Sequence, residues 1–187
     1  MYPVRSFATP RLFEAWLKKH HADAKGLWLQ LSKKGTTKKS ITYDEALDLA
    51  LCYGWIDGQK KAHDADAWLQ KFTPRRAKSV WSKRNKERVE ALIRSKRMTA
   101  AGRAEIDAAK KDGRWDAAYE GSSSMQVPAD FIAELKKNKD AYVFFKTLNK
   151  ANTYAIAWRL ATAKKPETRE RRKQALLVRM AKRERLH

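Results

Sequence analysis

A short segment that follows Pro74 concentrates side chains able to bind an anion. The candidate anion-binding residues are Arg75, Arg76, Lys78, Ser79, Ser82 and Asn85. A helix that begins after Ser82 would add free N–H groups and the positive end of its dipole to the same point. A guanidinium can hold a phosphate or a carboxylate through two parallel hydrogen bonds. The segment therefore predicts an anion-binding site at a helix start.

The same residues also allow a purely structural interpretation. Ser82 is a typical helix cap, and cations on a surface usually just face water. Trp81 could stack on a base or a guanidinium, or it could pack in a hydrophobic core. The sequence leaves both interpretations open.

A second basic segment lies near the end of the chain. Its cations are Lys164, Lys165, Arg169, Arg171 and Arg172. This composition resembles an arm that binds nucleic acid or an acidic protein surface. Glu167 and Arg171 have a helical separation, which equally supports an ordinary exposed helix. No zinc finger, basic zipper or RNA-recognition motif is present, so nothing indicates a sequence-specific reader of nucleic acid.

An alternative function would place a small-molecule pocket, of an enzyme or a sensor, between a sheet and its covering helices. The candidate lining residues are Lys33, Trp55, Asp57 and Trp81, together with Arg75 from the basic segment. Asp57 stands between Ile56 and Gly58, so partial burial could raise its pKa and make it a base. A salt bridge with a nearby lysine or arginine is the competing role for this carboxylate.

Patterns of a catalytic or metal centre are weak. Cys52 and His63 could in principle pair as nucleophile and base, but an apolar helix end around Cys52 favours a buried, inert thiol. His63, Asp64 and Asp66 are more typical of a turn than of a metal site. The sequence lacks a P-loop, a G-x-G-x-x-G motif and a nucleophile elbow. We therefore predict no catalytic residue, no metal and no cofactor, and favour a binding protein over an enzyme.

Hydrophobic periodicity predicts an α+β fold. Residues 1–80 are expected to form a small antiparallel β-sheet with covering helices, and residues 81–187 an all-helical part that could share one continuous core with the first. The strands are expected around Trp28, from Gly54 and from Ala67, and Thr42 with Glu45 forms a capping box before an apolar helix. The stretch Gly121-Ser-Ser-Ser is predicted to be a loop or a flexible joint.

Cap and start signals mark the later helices. Asp140 is expected to cap an aromatic helix, and Asn149 or Asn152 the next one. Pro166 is expected to begin the last helix.

Composition indicates a folded, strongly basic protein. The 187 residues carry a net charge of +21, and 43% of them are hydrophobic, seven being tryptophan. Residues 75–104 and 164–187 together hold +16 of that charge, so any electrostatic function should map there. Cys52 has no second cysteine to pair with, and no apolar stretch of signal-peptide or membrane-spanning type is present, so we expect a cytoplasmic protein.

Several motifs together resemble one known family. They are Trp28-Leu-Gln-Leu-Ser-Lys-Lys, Tyr43-Asp-Glu-Ala, Leu51-Cys-Tyr-Gly-Trp-Ile-Asp-Gly-Gln, Phe72-Thr-Pro-Arg-Arg-Ala-Lys-Ser-Val-Trp-Ser-Lys-Arg-Asn, Gly113-Arg-Trp-Asp-Ala-Ala-Tyr and Ala163-Lys-Lys-Pro-Glu-Thr-Arg. In these motifs the chain resembles, from about Phe7 to His187, the YdeI/OmpD-associated (OmdA) family, also called bacteriocin-protection proteins. The resemblance implies protection against bacteriocins and cationic peptides and association with an outer-membrane porin. It implies no reaction and no catalytic residue. Lys96 departs from the glycine that the family tends to have, which favours a continuous helix over a tight turn there.

These observations predict a non-enzymatic, stress-related protein that binds an anionic partner through the basic loop and the basic terminal helix. The partner could be nucleic acid, a phosphorylated metabolite or an acidic protein surface. A scaffold whose charge serves mainly solubility is the less specific alternative. The sequence does not indicate an oligomeric state.

Overall fold

The computed structural model describes residues 2–120 and 125–186. Along the chain the elements are β1 (Val4–Ser6), α1 (Pro10–His20), β2 (Leu27–Ser32), α2 (Tyr43–Cys52), β3 (Trp55–Ala62), β4 (Ala67–Pro74), α3 (Lys83–Arg94), α4 (Ala100–Lys111), α5 (Ala129–Leu135), α6 (Lys139–Lys146), α7 (Lys150–Ala161) and α8 (Pro166–Ala181). The predicted α+β fold is confirmed. The stretch at Gly121 that was expected to form a joint lies outside the described residues.

Contacts divide the chain into two compact units, Met1–Ala118 and Tyr119–His187. The first unit contains the sheet and helices α1 to α4. The second contains helices α5 to α8 and has a hydrophobic cluster of its own.

Four strands of the described chain form one sheet, in the order β1-β2-β4-β3. The three predicted strands are present and pair in antiparallel fashion: β2 pairs with β4, and β4 with β3. β1 was not predicted, and it pairs in parallel with β2, starting with Val4 opposite Trp28. The sheet is therefore mixed. Because β1 is a three-residue edge strand with exposed side chains, it shows no hydrophobic alternation that a sequence reading could detect.

One face of the sheet supplies the core of the first unit. In β2 the side chains of Leu27, Leu29 and Leu31 are buried and alternate with half-buried neighbours, as expected for a strand with one covered face. They join Phe13 of α1 and Phe72 of β4 in the same hydrophobic cluster. β3 carries an irregularity between Asp57 and Lys60, which includes Gly58.

Helices α1 and α2 both begin after a threonine that caps the helix. The Thr9 side chain accepts a hydrogen bond from the Leu12 backbone, and Pro10 occupies the first turn of α1. Thr42 and Glu45 form the expected capping box of α2. Most of α2 is buried because its apolar residues surround the helix rather than lining one stripe.

The connection between α3 and α4 corrects one expectation. α3 ends at Arg94, and Lys96 adopts a left-handed backbone with φ 58°, so the helix does not continue through this point. The Arg97 backbone amide donates to the Leu92 carbonyl across the turn, which satisfies a terminal carbonyl of the helix. The tight turn is thus retained with lysine at a position that favours glycine, at a cost of about 1 kcal/mol.

The second unit is a small helical assembly. Its buried cluster includes Phe131 of α5, Ile156 of α7 and Leu176 of α8. Asn149 caps α7 through its side chain, and Pro166 begins α8, as predicted. The cap of α6 is Asn138 rather than Asp140, which lies one residue inside the helix. Both positions suit a polar residue, so the spacing of the apolar residues did not distinguish them.

Candidate functional site

The segment of residues 75–82, which we name the basic loop, is anchored by a buried arginine. The Arg75 guanidinium carbon lies 3.5 Å from the centre of the Trp81 ring, and only 7% of Arg75 is exposed. Its Nη1 donates to the Val80 carbonyl at 3.4 Å, and its backbone amide donates to the Gly54 carbonyl at 2.9 Å. Arg75 therefore holds the loop against the core by cation–π stacking.

Trp81 is the residue on which this anchor rests. It is 1% exposed and meets the ring of Trp115 edge-on, with centroids 5.1 Å apart. The structural interpretation of Trp81 as a core residue is therefore the observed one. A buried indole of this kind cannot stack on a base, but it fixes the position of the guanidinium above it.

Both serine hydroxyls of the basic loop accept hydrogen bonds from nearby backbone amides. Ser79 Oγ accepts a hydrogen bond from the Arg76 backbone amide at 3.0 Å, and the Ser79 amide donates to the Arg76 carbonyl at 2.8 Å. Ser82 Oγ accepts from the Asn85 backbone amide at 3.2 Å and caps α3. The two hydroxyls thus stabilise the turn and the helix start.

Arg76 and Lys78 are the exposed cations of the basic loop. Among the residues that the structure describes, no carboxylate forms an ion pair with either side chain. Farther along α3 the situation differs, because Arg88 pairs with both Asp44 and Asp48. The α2 carboxylates therefore neutralise cations of α3 but not those of the loop.

Arg114 is a site residue that the sequence analysis did not single out. It is 5% exposed, its Nη1 donates to the Ser79 carbonyl at 2.9 Å, and its Nε lies 2.7 Å and 2.8 Å from the two carboxylate oxygens of Asp112. The motif Gly113-Arg-Trp contained it, but nothing in that spacing indicates a contact 35 residues upstream. Arg114 joins the basic loop to the end of α4.

Two lysines extend the positive surface from the loop around Trp115. Lys86 Nζ lies 4.9 Å and Lys110 Nζ 5.5 Å from the centre of the Trp115 ring. Trp115 follows Arg114 in the chain and packs on Trp81, so these lysines lie close to the residues that hold the basic loop in place. We name Arg76, Lys78, Lys86 and Lys110 the basic surface.

Of the predicted pocket residues, Arg75 and Trp81 are in contact, whereas Trp55, Asp57 and Lys33 each have a different partner. Trp55 is buried in the core, and its Nε1 donates to the His21 carbonyl at 3.0 Å. Asp57 accepts a hydrogen bond from the Tyr43 hydroxyl at 2.7 Å rather than pairing with a lysine or an arginine. Burial and the neighbouring Asp57 carboxylate raise the pKa of Tyr43. The geometry thus gives Asp57 a structural partner.

Lys33 lies at a different place from the other pocket candidates. Its ammonium donates to the Asp64 carbonyl at 2.8 Å, and its side chain borders a polar cavity of about 360 Å³ together with Lys38 and Lys39. Trp81, the remaining candidate, belongs to the anchor of the basic loop.

The second basic segment divides into engaged and exposed cations. Arg169 forms two hydrogen bonds to Asp130, and these lower the pKa of Asp130 to about 2. Arg172 donates to the Arg159 carbonyl at 2.8 Å, near the end of α7. Lys164, Lys165 and Arg171 are exposed. The segment therefore has a structural role in the second unit and leaves three cations facing solvent.

Cys52 and the metal-ligating residue types are the remaining groups with chemical potential. Cys52 is buried, and burial raises the pKa of its thiol to about 11, which disfavours the nucleophilic thiolate. Within residues 2–120 and 125–186, His, Cys, Asp and Glu do not cluster in threes as a metal site needs. No helix in those ranges combines the length and apolar character needed to cross a bilayer.

Two family models match the chain, one in each of the two compact units. Residues 5–105 match a family model described as a domain of unknown function, DUF8412, and this match covers more than half of the chain. The chain belongs to this family. Residues 124–183 match a second family model, described as "Bacteriocin-protection, YdeI or OmpD-Associated". No curated protein and no solved structure matches the chain.

The second match confirms the resemblance that the motifs indicated, over part of the expected length. Of the quoted motifs, only the one that begins at Ala163 lies within residues 124–183. Those from Trp28 to Asn85 lie in the DUF8412 match, and the Gly113 motif lies between the two. Most of the basic surface therefore belongs to the DUF8412 part, whereas Lys164, Lys165 and Arg171 belong to the bacteriocin-protection part.

Proposed function

We propose that this protein is a binding protein of the bacteriocin-protection type that holds a polyanionic partner on its basic surface. The partner contacts Arg76 and Lys78 in the basic loop and extends toward Lys86 and Lys110. Lys164, Lys165 and Arg171 provide a second, independent set of cations. No bond is made or broken in this proposal, because binding rests on charge and hydrogen bonding alone.

One observation carries the proposal: the loop is fixed from beneath while its outer cations stay uncompensated. Arg75 on Trp81 and Arg114 on the Ser79 carbonyl immobilise the backbone. Arg76 and Lys78 lie on this fixed segment without an ion pair to any described carboxylate. The loss of backbone entropy when a partner binds is therefore smaller than for a mobile loop.

A polymer of charges fits this surface better than a single small anion. Arg76 and Lys78 are exposed, so each contact with an isolated ion is screened by water and salt and contributes little. A chain of phosphates meets several such cations at once and releases its condensed counterions on binding. Nucleic acid is therefore the preferred partner, and a phosphorylated metabolite or an acidic protein surface is a weaker candidate.

The test is a salt titration of binding to a fluorescent DNA duplex of about 20 base pairs, measured by anisotropy. We expect the affinity to fall linearly with salt on logarithmic axes. The double variant Arg76→Gln/Lys78→Gln should lower the slope by about 1.8, because each phosphate contact contributes about 0.9. At about 0.1 M salt this corresponds to an affinity loss of about 60-fold.

The matched control is Lys18→Gln/Lys19→Gln, which removes the same charge from exposed positions at the end of α1. This variant should keep a slope close to that of the unchanged protein. Equal losses in both double variants would mean that only net charge matters, and the proposed surface would be rejected. Absence of binding to DNA, heparin and polyphosphate at low salt would reject the function itself.

A further inference from the structure

A second concave site lies in the first unit, apart from the basic surface. It is a cavity of about 480 Å³ beside β1, α1 and the segment that leads into β2. Sites for small organic ligands have volumes of about 300–1,000 Å³, so this cavity has a suitable size. None of its lining residues belongs to the basic loop.

Backbone contacts build one wall of the cavity. The Trp28 amide donates to the Pro3 carbonyl at 2.9 Å, which leads into the parallel pairing of β1 with β2. Gly26 has φ 141°, and a Cβ there would lie within 3.0 Å of Tyr2, Thr73 and the Phe72 carbonyl. Glycine is therefore required for the close approach of Tyr2, whose ring borders the cavity.

Trp16 supplies an aromatic surface with a fixed orientation. Its ring lies almost parallel to that of Phe13, at an angle of 8°, and meets Trp55 edge-on with centroids 5.7 Å apart. Phe13 and Trp55 are fully buried, so they hold the indole from behind. With Tyr2, the cavity offers two aromatic rings to an apolar ligand.

The charged groups that border the cavity are basic. Arg5 lies with its guanidinium carbon 5.7 Å from the Trp16 ring centre, and Lys25 and His20 complete the polar lining. The lining contains no carboxylate, and no described acidic residue forms an ion pair with Arg5 or Lys25. Asp23 lies 3.9 Å from His20 and is largely exposed, outside the lining.

We propose that this cavity binds a small aromatic carboxylate, with the aromatic ring against Trp16 and Tyr2 and the carboxylate at Arg5 and Lys25. The aromatic walls select a flat apolar body, and the absence of lining carboxylates favours a negative end. Arg5 serves best as the anchor because a guanidinium can bind a carboxylate through two hydrogen bonds. This inference does not depend on binding at the basic surface.

The test uses isothermal titration of the full chain with 2-naphthoate and with the neutral 2-naphthylmethanol. We expect naphthoate to bind about fivefold more tightly than the alcohol, because Arg5 and Lys25 are exposed and water partly screens their contacts with the carboxylate. Arg5→Gln should reduce that preference, because Lys25 remains, and Tyr2→Ala should weaken the binding of both ligands. Both positions lie outside the buried core, so the far-ultraviolet circular dichroism of the variants should be unchanged.

The control is Arg11→Gln, which removes one exposed charge from α1 and should leave naphthoate binding unchanged. If Arg5→Gln fails to fold, Lys25→Gln takes its place with the same expected direction. Equal binding of acid and alcohol, equal effects of Arg5→Gln and Arg11→Gln, or no binding at millimolar naphthoate would each overturn the proposal. If a variant of the basic surface lost DNA binding but still bound naphthoate, this result would support a separate ligand site in the cavity.

Discussion

Replacement of Arg114 by methionine tests whether a buried guanidinium fixes the basic loop. Methionine keeps an unbranched apolar side chain in the same space but removes the charge and all donors. The Ser79 carbonyl would then lose its donor, and the loop would lose one of its two anchors. We expect a folded variant with lower stability and weaker binding to DNA, although Arg114 itself does not face the partner.

The size of the effect follows from two contacts. The charged hydrogen bond from Nη1 to the Ser79 carbonyl is buried and contributes about 1.5–3 kcal/mol. The ion pair with Asp112 adds about 0.5 kcal/mol, a value discounted because the Asp112 side chain is 46% exposed and remains hydrated. A total of about 2–3.5 kcal/mol lowers the Tm by about 4–14 °C in a protein of this length.

Urea unfolding followed by tryptophan fluorescence measures this loss, since Trp81 and Trp115 pack beside the contact. Arg11→Met is the matched control, because Arg11 is exposed on α1. If Arg114→Met were as stable as the control, Arg114 would not be an anchor. If its stability fell but DNA binding were unchanged, order in the basic loop would not matter for binding.

Three further changes have definite expected outcomes. Gly102→Ala should destabilise the first unit by about 2–3 kcal/mol, because the new Cβ would lie closer than 3.0 Å to the carbonyl oxygens of Leu51 and Cys52. Urea unfolding measures this loss, and an unchanged stability would contradict the close packing. The Cys52 thiol, with its pKa raised by burial to about 11, should resist iodoacetamide at about pH 8 until urea is added, and mass spectrometry of the native protein would reveal any contrary modification. Hydrogen bonds from Arg169 lower the pKa of Asp130 to about 2, so this pair stabilises the fold above about pH 4, and the contribution disappears as the pH falls toward 2. Asp130→Asn should therefore cost about 0.5–1 kcal/mol at neutral pH and almost nothing at about pH 2, and a cost that persists in acid would refute the ion-pair assignment.

Features determined by neighbouring residues could be predicted from the sequence. The alternation in β2 and the capping box at Thr42 follow from contacts over two to four positions, and the structure confirms both. The start of α8 at Pro166 is local in the same sense, because proline is compatible with the first helical turn. β1 has no such local signal, since it depends on pairing with residues across α1.

Side-chain roles at the candidate site depend on contacts distant in sequence. The composition of the basic loop shows that cations are present, but not that Arg75 lies on Trp81 while Arg76 faces solvent. Asp57 finds its partner in Tyr43, 14 residues earlier, and a hydroxyl leaves no charge pattern to detect. The aromatic cavity is likewise assembled from separate elements, namely β1, α1 and the segment before β2, so no local pattern in the sequence indicates it.

The parallel placement of β1 has a consequence for the sequence of folding events. The hairpin β3–β4 can form early, because its two strands are close in the sequence. We expect β1 to pair later, because it is separated from β2 by α1 and needs β2 to be in place. Three residues at an edge are easily released, so the β1 amides should exchange with deuterium before those of β4. Arg5 lies on β1 and borders the cavity, so a ligand bound there would stabilise the pairing of β1 with β2 and slow this exchange. Ligand binding and the order of this edge strand would then be coupled.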